Sequence, residues 1–171
     1  KFAAATERAA RAAGADIRFD VEAKQLLVKG RRAVGVETSS GRLESDWVIQ
    51  CGGPWAAEGQ GAPFPIPVVP ARGQILQFLT RGPLFRRVVK SSRAYMVQRS
   101  DDSLIAGTTL EYVGFNSKVT EDGRRAILEG VRELSSASSS LEVRSSWAGL
   151  RPDTPDHLPI LGPTPLEGFL L

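Results

Sequence analysis

The stretch WAGLRPDTPDHLPILG, residues 147–162, decides how the whole chain is interpreted. A short apolar approach ends at Arg151, a proline-stiffened bend follows, and a second apolar run ends at Gly162. Because proline follows Arg151, the arginine is biased towards an extended backbone and away from helix. We therefore predict that its guanidinium projects from a strand end or a bend, where its planar set of donors suits a carboxylate.

A surface ion pair is the alternative interpretation of Arg151, since Asp153 and Asp156 follow it closely. What favours a binding role is the neighbourhood of the arginine, in which Trp147, Gly149 and the Pro-Ile-Leu-Gly run supply apolar and small residues. Both interpretations stay open at this point.

Length, charge and cysteine content exclude several classes of protein. A chain of 171 residues can bury a core, and its length alone predicts about one domain. Lys+Arg 22 against Asp+Glu 19 gives a net charge of +3 without a basic stripe, so we predict no nucleic-acid partner. The single cysteine excludes an internal disulfide and a cysteine-based metal site, and it fits a cytoplasmic location. No apolar run is long enough to predict a membrane span.

The hydrophobic pattern predicts an α+β chain with two helices, 2–13 and 120–134, the second capped by Thr120. A connector rich in proline, 59–70, separates two groups of strands. The predicted strands are 16–19 continuing to Val21, 25–28, 33–38, 46–51, 75–79, 88–89, 94–98, 103–109 and 141–147.

Both ends of the chain interrupt predicted elements. The sequence begins inside an alanine-rich helix pattern and stops at 168–171, which has the character of a buried strand. We therefore expect the chain to be a piece of a longer protein.

Several motifs occur together in a recognisable order. RGQ at 72–74 and GTTLE at 107–111 precede WAGLRP at 147–152 and DHLPILG at 156–162. In these motifs the chain resembles the D-amino-acid-oxidase-type flavoproteins, most closely the glycine oxidases, and it is also similar to sarcosine oxidases. The agreement extends over residues 14–171.

The resemblance implies an α/β segment of an FAD-binding lobe and a substrate lobe with a mostly antiparallel sheet and flanking helices. On that map, residues 1–62 belong to the FAD lobe, 63–147 to the substrate lobe, and 148–171 return to the FAD lobe. The family's Gly-x-Gly-x-x-Gly turn, which holds the flavin pyrophosphate, is absent from this sequence. FAD is therefore expected to be anchored largely by other segments, and the isolated chain to bind it weakly or not at all.

The resemblance also implies site residues. Arg151 matches the clamp for the substrate carboxylate, and Tyr95 matches an active-site tyrosine. Arg93 is a further substrate-binding candidate, because two residues of spacing would place it on the same strand face as Tyr95; the glycine oxidases tend to carry histidine there. Residues that match positions against the cofactor are Val21, Cys51, Gly52, Trp55 and Gly162. No catalytic acid or base and no metal ligand is implied.

Four positions, Cys51 and three residues of the motifs quoted above, are interpreted individually. Cys51 is more readily explained as a small buried apolar residue. Arg72 and Gln74 are candidates to line the pocket. For Arg72 an ion pair at the lobe boundary is the alternative. His157, the one histidine, is better explained as a solvated loop residue than as a catalytic one.

The activity that the resemblance implies is oxidation of a small amino acid or N-methyl amino acid to an imine. Flavin accepts a hydride and dioxygen is reduced to peroxide; in some family members this reaction serves thiamine biosynthesis. The alternatives are a flavin dehydrogenase with another electron acceptor and a non-catalytic binding or assembly module. The oligomeric state stays open.

Overall fold

The computed structural model describes residues 2–58, 61–138 and 140–171, which combine helices with mostly antiparallel sheets. The predicted α+β class is confirmed. The chain divides into two compact units: the first comprises Lys1–Cys51, Gly59–Phe64 and Ile160–Leu171, and the second comprises Gly52–Glu58 and Pro65–Pro159. The predicted lobe boundaries after residues 62 and 147 stay a prediction. Residues 59 and 60 of the predicted connector lie outside the described residues.

In chain order the elements are α1 (Phe2–Ala12), β1 (Ala23–Lys29), β2 (Arg32–Thr38), β3 (Gly41–Glu44), β4 (Val48–Ile49), a 3₁₀ helix (Gly53–Glu58), β5 (Val69–Leu79), β6 (Val89–Lys90), β7 (Tyr95–Gln98), β8 (Ser103–Gly107), α2 (Glu121–Leu134), a 3₁₀ turn (Ser136–Ser138), β9 (Val143–Asp153) and β10 (Phe169–Leu170). No helix in the described part of the chain combines the length with the apolar character that crossing a bilayer requires.

The first unit contains a three-stranded antiparallel meander in the order β1-β2-β3 and a parallel pair formed by β4 and β10. Its core consists of Leu26, Ala33, Leu166 and Phe169. Gly168 allows the chain to enter β10, because its φ of 72° favours glycine and a Cβ there would lie 2.7 Å from the Asp46 carbonyl oxygen.

The strand predicted at 16–19 and continuing to Val21 is wrong, since none of these residues is in a strand. Asp20 adopts a φ of 58°, which interrupts an extended backbone. Asp16 is engaged locally by the Arg18 side chain at 2.7 Å. This short segment pairs with none of the described strands. The alternation of its residues therefore predicted a strand that does not form.

The second unit is built on a five-stranded antiparallel sheet in the order β6-β7-β8-β5-β9. Helix α2 packs on one side of it. Residues of β5, β7 and β8 that face the helix meet its apolar stripe in one core, formed by Leu76, Phe78, Met96, Leu104, Ala106, Ile127 and Val131. We call this side of the sheet the helix face, and the opposite side the outer face.

Strand β9 continues to Asp153, six residues beyond its predicted end at Trp147. The reason is tertiary: β5 begins at Val69 and pairs with β9 as far as Asp153, with Ala71 opposite Arg151. Pro152 interrupts neither strand, because β9 is the edge of the sheet and an edge strand tolerates a missing amide donor.

Helix α2 begins where the sequence predicts. Thr120 has an extended backbone, and its hydroxyl accepts a hydrogen bond from the Gly123 amide, which confirms the N-cap. The fully buried Gln74 fixes this helix end to β5: its amide donates to the Thr120 hydroxyl at 2.9 Å and accepts from the Thr120 backbone amide at 2.9 Å.

Replacing Gly123 with alanine is expected to destabilise the protein that carries this chain. A Cβ at position 123 would overlap the side-chain amide of Gln74, which cannot move without losing its buried hydrogen bonds. Although alanine is the better helix former by about 1 kcal/mol, we expect a net loss of about 1–3 kcal/mol. Urea unfolding measures it, with the exposed Arg125→Ala in the same helix as control. A variant as stable as the control would contradict the packing described here.

Candidate functional site

The outer face of the sheet in the second unit brings two of the predicted site residues together. In an antiparallel ladder, residues directly opposite each other share a face. Tyr95 lies opposite Gly107, and Ile75 lies opposite both Gly107 and Trp147, so these four residues form one row across the sheet. Arg151, opposite Ala71, lies on the same face two rows further along.

Glycines form the surface between Tyr95 and Arg151. A Cβ at Gly73 would lie 2.8 Å from Arg151 Nη2, and a Cβ at Gly107 would lie 3.2 Å from the Tyr95 hydroxyl oxygen. At Gly149, opposite Gly73, a Cβ would meet no atom within 4 Å. Diagonal neighbours such as Gly73 and Gly107 are about 7–8 Å apart in an antiparallel sheet. The guanidinium therefore lies over Gly73 beside the Thr108 hydroxyl, the phenol lies over Gly107 beside Ile75, and of these three glycines Gly149 has open space above its backbone.

Arg151 is exposed and has no carboxylate partner among the described residues. Its Nη2 donates to the Thr109 carbonyl oxygen at 2.7 Å. The surface ion pair with Asp153 or Asp156 is not formed, because both carboxylates are engaged elsewhere. Asp153 binds Tyr112 and His157, and Asp156 accepts from the Thr154 hydroxyl and the Leu158 amide. The remaining guanidinium donors are available to a ligand.

The aspartate next to the clamp candidate belongs to a short polar chain. Asp153 Oδ2 accepts from the Tyr112 hydroxyl, and Asp153 Oδ1 lies 2.9 Å from His157 Nδ1. The hydrogen bond from Tyr112, followed by that from His157, holds the pKa of Asp153 below its usual value. The same aspartate raises the pKa of His157 and of Tyr112. The His157 side chain is 67% exposed, which agrees with the solvated loop residue of the sequence analysis.

Arg93 does not share a face with Tyr95, so that prediction is wrong. Strand β7 begins only at Tyr95, and Arg93 precedes it in a bend. Its guanidinium pairs with Glu129 at 3.1 Å and with Glu133, both on α2. The alternation rule failed because it was applied outside the strand, and nothing in this position supports contact with a substrate.

The predicted cofactor residues are divided between the two units. Val21, Cys51 and Gly162 belong to the first unit, whereas Gly52 and Trp55 belong to the second. Trp55 is 52% exposed and stacks on Phe115 with ring centroids 5.7 Å apart.

Cys51 is exposed, so the expectation of a small buried apolar residue is wrong. The strand before it, β4, is only two residues long and ends at Ile49, which leaves Cys51 beyond the ladder.

The sequence analysis missed a partly buried polar cluster on the helix face, which we call the Glu111 network: Arg72, Gln74, Thr109, Glu111 and Thr120. The Glu111 carboxylate accepts from Arg72 Nη2, from the Thr109 hydroxyl at 2.6 Å and from the Gln74 amide at 2.7 Å. Arg72 thus forms an ion pair, one of its two suggested roles. The sequence of β5 contains an indication of this cluster, because Arg72 and Gln74 alternate in step with Leu76 and Phe78 and so lie on the same face.

Electrostatics in the Glu111 network favour the ionised carboxylate. The hydrogen bond from Arg72 is the largest effect, and burial opposes it; bonds from Thr109 and Gln74 add to the stabilisation. Together they lower the pKa of Glu111 from 4.5 to about 2. Glu111 is therefore ionised at any physiological pH, and its negative charge is balanced by the positive charge of Arg72.

Comparison with known proteins gives consistent relatives. A family model described as FAD dependent oxidoreductase, DAO, matches residues 1–171. The glycine oxidase of Pseudomonas aeruginosa is 30% identical over 154 residues, which are 90% of this chain and 42% of that protein. The hydrogen cyanide synthase subunit HcnC of Pseudomonas protegens is 34% identical over 165 residues, 94% of this chain and 40% of that protein.

The fold has a close counterpart among solved structures. The crystal structure of glycine oxidase from Geobacillus kaustophilus superimposes with a TM-score of 0.90 at 27% identity, covering 98% of this chain and 46% of that one. The chain thus spans less than half the length of each of these three relatives.

Glu111→Gln is expected to remove an acid-sensitive part of the stability. Because the folded-state pKa is about 2 against 4.5 for the ordinary group, the stabilisation is complete above pH 4.5 and is lost as pH falls towards 2. We expect wild type to exceed the variant by about 3 kcal/mol at pH 7 and by much less at pH 3. Urea unfolding at both values measures this, with Glu129→Gln as the exposed control. A gap of equal size at both values would contradict the ionised network.

Proposed function

Because the chain belongs to the DAO family of FAD-dependent oxidoreductases, we propose that the protein carrying it oxidises a small amino acid or an N-methyl amino acid to an imine. One observation carries the proposal: an arginine without a carboxylate partner, Arg151, lies over a glycine surface that it shares with Tyr95. A substrate of this class supplies the missing carboxylate.

The role proposed for Arg151 is to bind the substrate carboxylate. Guanidinium and carboxylate can form two parallel hydrogen bonds, and a bond to a charged group contributes roughly 1.5–3 kcal/mol. One donor is already used by the Thr109 carbonyl, which leaves the others for the ligand. The Tyr95 hydroxyl makes no hydrogen bond to the described residues and supplies a second donor.

The size of the site supports a small substrate. Gly73, Gly107 and Gly149 contribute no side chains of their own, the space above Gly149 is open, and Ile75 and Trp147 add apolar groups to the same face. A ligand held at its carboxylate by Arg151 would place its amine and α carbon over this surface. Holding the α carbon in one orientation is a positioning task, which by itself accounts for a large part of catalysis in reactions of this kind.

The first unit has features that fit FAD. Gly162 is half-buried, and a Cβ there would meet no atom within 4 Å. A flat group can therefore approach its backbone closely. Cys51 is exposed and small. We propose that Val21, Cys51 and Gly162 contact the cofactor, while Gly52 and Trp55 stay predictions. Bound FAD would accept the hydride equivalent from the substrate and pass the electrons to dioxygen.

The electron acceptor distinguishes the oxidase from a flavin dehydrogenase of the same family. The name glycine oxidase supports an amino-acid substrate, whereas the name hydrogen cyanide synthase subunit states no electron acceptor. Dioxygen is the acceptor that we propose. A cytoplasmic location and a place in thiamine biosynthesis stay predictions.

The full-length protein tests the proposal in two steps. Its visible spectrum is expected to show a bound flavin, and glycine or sarcosine is expected to release peroxide in air. Dye reduction without peroxide would assign the dehydrogenase instead. A protein that holds no flavin after reconstitution with FAD would overturn both enzymes and favour the non-catalytic binding or assembly module.

Replacing Arg151 with alanine is expected to raise KM for glycine and to lower kcat/KM by about ten- to a hundred-fold, because a charged hydrogen bond to the carboxylate is lost. Arg151→Lys keeps the charge but not the planar pair of donors, so we expect an intermediate loss. Steady-state peroxide assays with glycine measure both variants. Arg125→Gln on the exposed side of α2 is the matched control. An alanine variant that retains wild-type kcat/KM at limiting glycine would refute the clamp.

A further inference from the structure

Segment 108–111 links the outer face of the sheet to the Glu111 network. On the outer side, the Thr109 carbonyl oxygen accepts from Arg151 Nη2 at 2.7 Å, and the Thr108 hydroxyl lies beside the same guanidinium above Gly73. On the inner side, the Thr109 hydroxyl donates to Glu111 at 2.6 Å and accepts from the Gln74 backbone amide at 3.0 Å. One residue, Thr109, thus touches both systems.

The Glu111 network fixes this segment from beneath. Arg72 and Glu111 exchange two backbone hydrogen bonds, of 2.8 and 3.0 Å, besides their ion pair. Arg72 is 4% exposed and Gln74 is fully buried, so neither side chain can reorient into solvent. Arg72 Nη1 also donates to the Lys118 carbonyl at 3.0 Å. Although Arg72 Nε makes no hydrogen bond to the described residues, these bonds together restrict the backbone of the segment.

The Arg151 side chain, unlike that of Arg72, is exposed and has no carboxylate partner among the described residues. An exposed arginine side chain has about 2 kcal/mol of rotamer entropy, which a ligand must overcome when it binds. A hydrogen bond to a fixed carbonyl reduces the number of orientations before the ligand arrives, and preorganisation of this kind increases affinity without adding a contact. The Thr109 carbonyl can do this only while its own position is fixed.

We propose that Glu111 is a positioning residue for Arg151: through Thr109 it holds the guanidinium in the orientation that receives a carboxylate. The inference rests on the proposed function, since it concerns the same site. The inference goes beyond the proposed function because it assigns a role to a partly buried acid on the other side of β5, whose carboxylate does not touch Arg151.

Two variants test the link by different routes. In Glu111→Gln, the new amide group must point a donor at Arg72 or at the donors of Thr109 and Gln74, so one hydrogen bond becomes a donor–donor contact. Thr109→Val keeps the carbonyl and the shape but removes the hydroxyl that joins Glu111 to the segment. Glu111→Asp keeps the charge and is expected to restore part of the effect. Glu129→Gln, which removes an exposed partner of Arg93, is the control.

The measurement is arginine side-chain NMR of the full-length protein with 15N-labelled arginine, in which Arg151→Lys identifies the Arg151 signal. We expect slow rotation of the Arg151 guanidinium in wild type and in Glu129→Gln. Rotation should be several-fold faster in Glu111→Gln and in Thr109→Val. Acetate, a carboxylate that cannot react, is expected to shift the Arg151 signal saturably and to bind about ten-fold more weakly to both variants.

The outcomes separate this inference from the proposed function. Unchanged rotation and unchanged acetate affinity in whichever of the two variants folds would overturn the positioning role. Thr109→Val serves this purpose if Glu111→Gln does not fold because it leaves the buried Arg72 without its carboxylate partner. A guanidinium that is loosened by the variants but does not respond to acetate in wild type would uphold the positioning role and overturn the carboxylate clamp.

Discussion

The second unit depends on β5, because this strand pairs on both sides and uses its two faces for different purposes. Its pairing with β8 and β9 fixes the register that brings Tyr95 and Arg151 to the outer face. Its alternate residues, Arg72, Gln74, Leu76 and Phe78, lie on the helix face. A slip by one residue would exchange the two sets and bury glycines where apolar side chains are needed. The site and the core are therefore specified by the same ladder.

The two faces are not independent at the end of β5 where the motif RGQ begins. There the helix face changes from an apolar core to a charged one, and the loop that follows β8 runs past it. Burial of Arg72 and Glu111 costs desolvation free energy, which their mutual hydrogen bonds offset. Gln74 connects the same cluster to the first turn of α2. This arrangement fixes a loop whose Thr109 carbonyl meets an exposed arginine.

Local signals in the sequence predicted the parts of the fold that local chemistry controls. Thr120 caps α2, as the order of polar and acidic residues indicated, and the apolar stripe of α2 lies in the core. The first two strands of the meander, β1 and β2, were predicted from alternation and turns. Arg151 was singled out from its neighbours, and its position on a strand beside glycines agrees with an extended backbone before proline.

Contacts distant in sequence decided the features that were missed. Strand β9 extends beyond its apolar sequence pattern because ten residues of β5 pair with it. Arg93 turns to Glu129 and Glu133, carboxylates some forty residues later in the chain, and no spacing rule within a strand could indicate that. Glu111 stood in a recognised motif, yet its partners Arg72 and Gln74 are more than thirty residues away. Cys51 is exposed because β4 is shorter than the strand that the alternation of residues predicted.

We propose above all that the outer face of the sheet receives a carboxylate between Arg151 and Tyr95. A crystal structure of the full-length protein with glycolate, which has a hydroxyl in place of the amine of glycine, tests it most directly. We expect both carboxylate oxygens of glycolate within hydrogen-bond distance of the Arg151 guanidinium, above Gly73 and Gly149. Glycolate bound elsewhere, with Arg151 paired to a carboxylate of the protein itself, would contradict it.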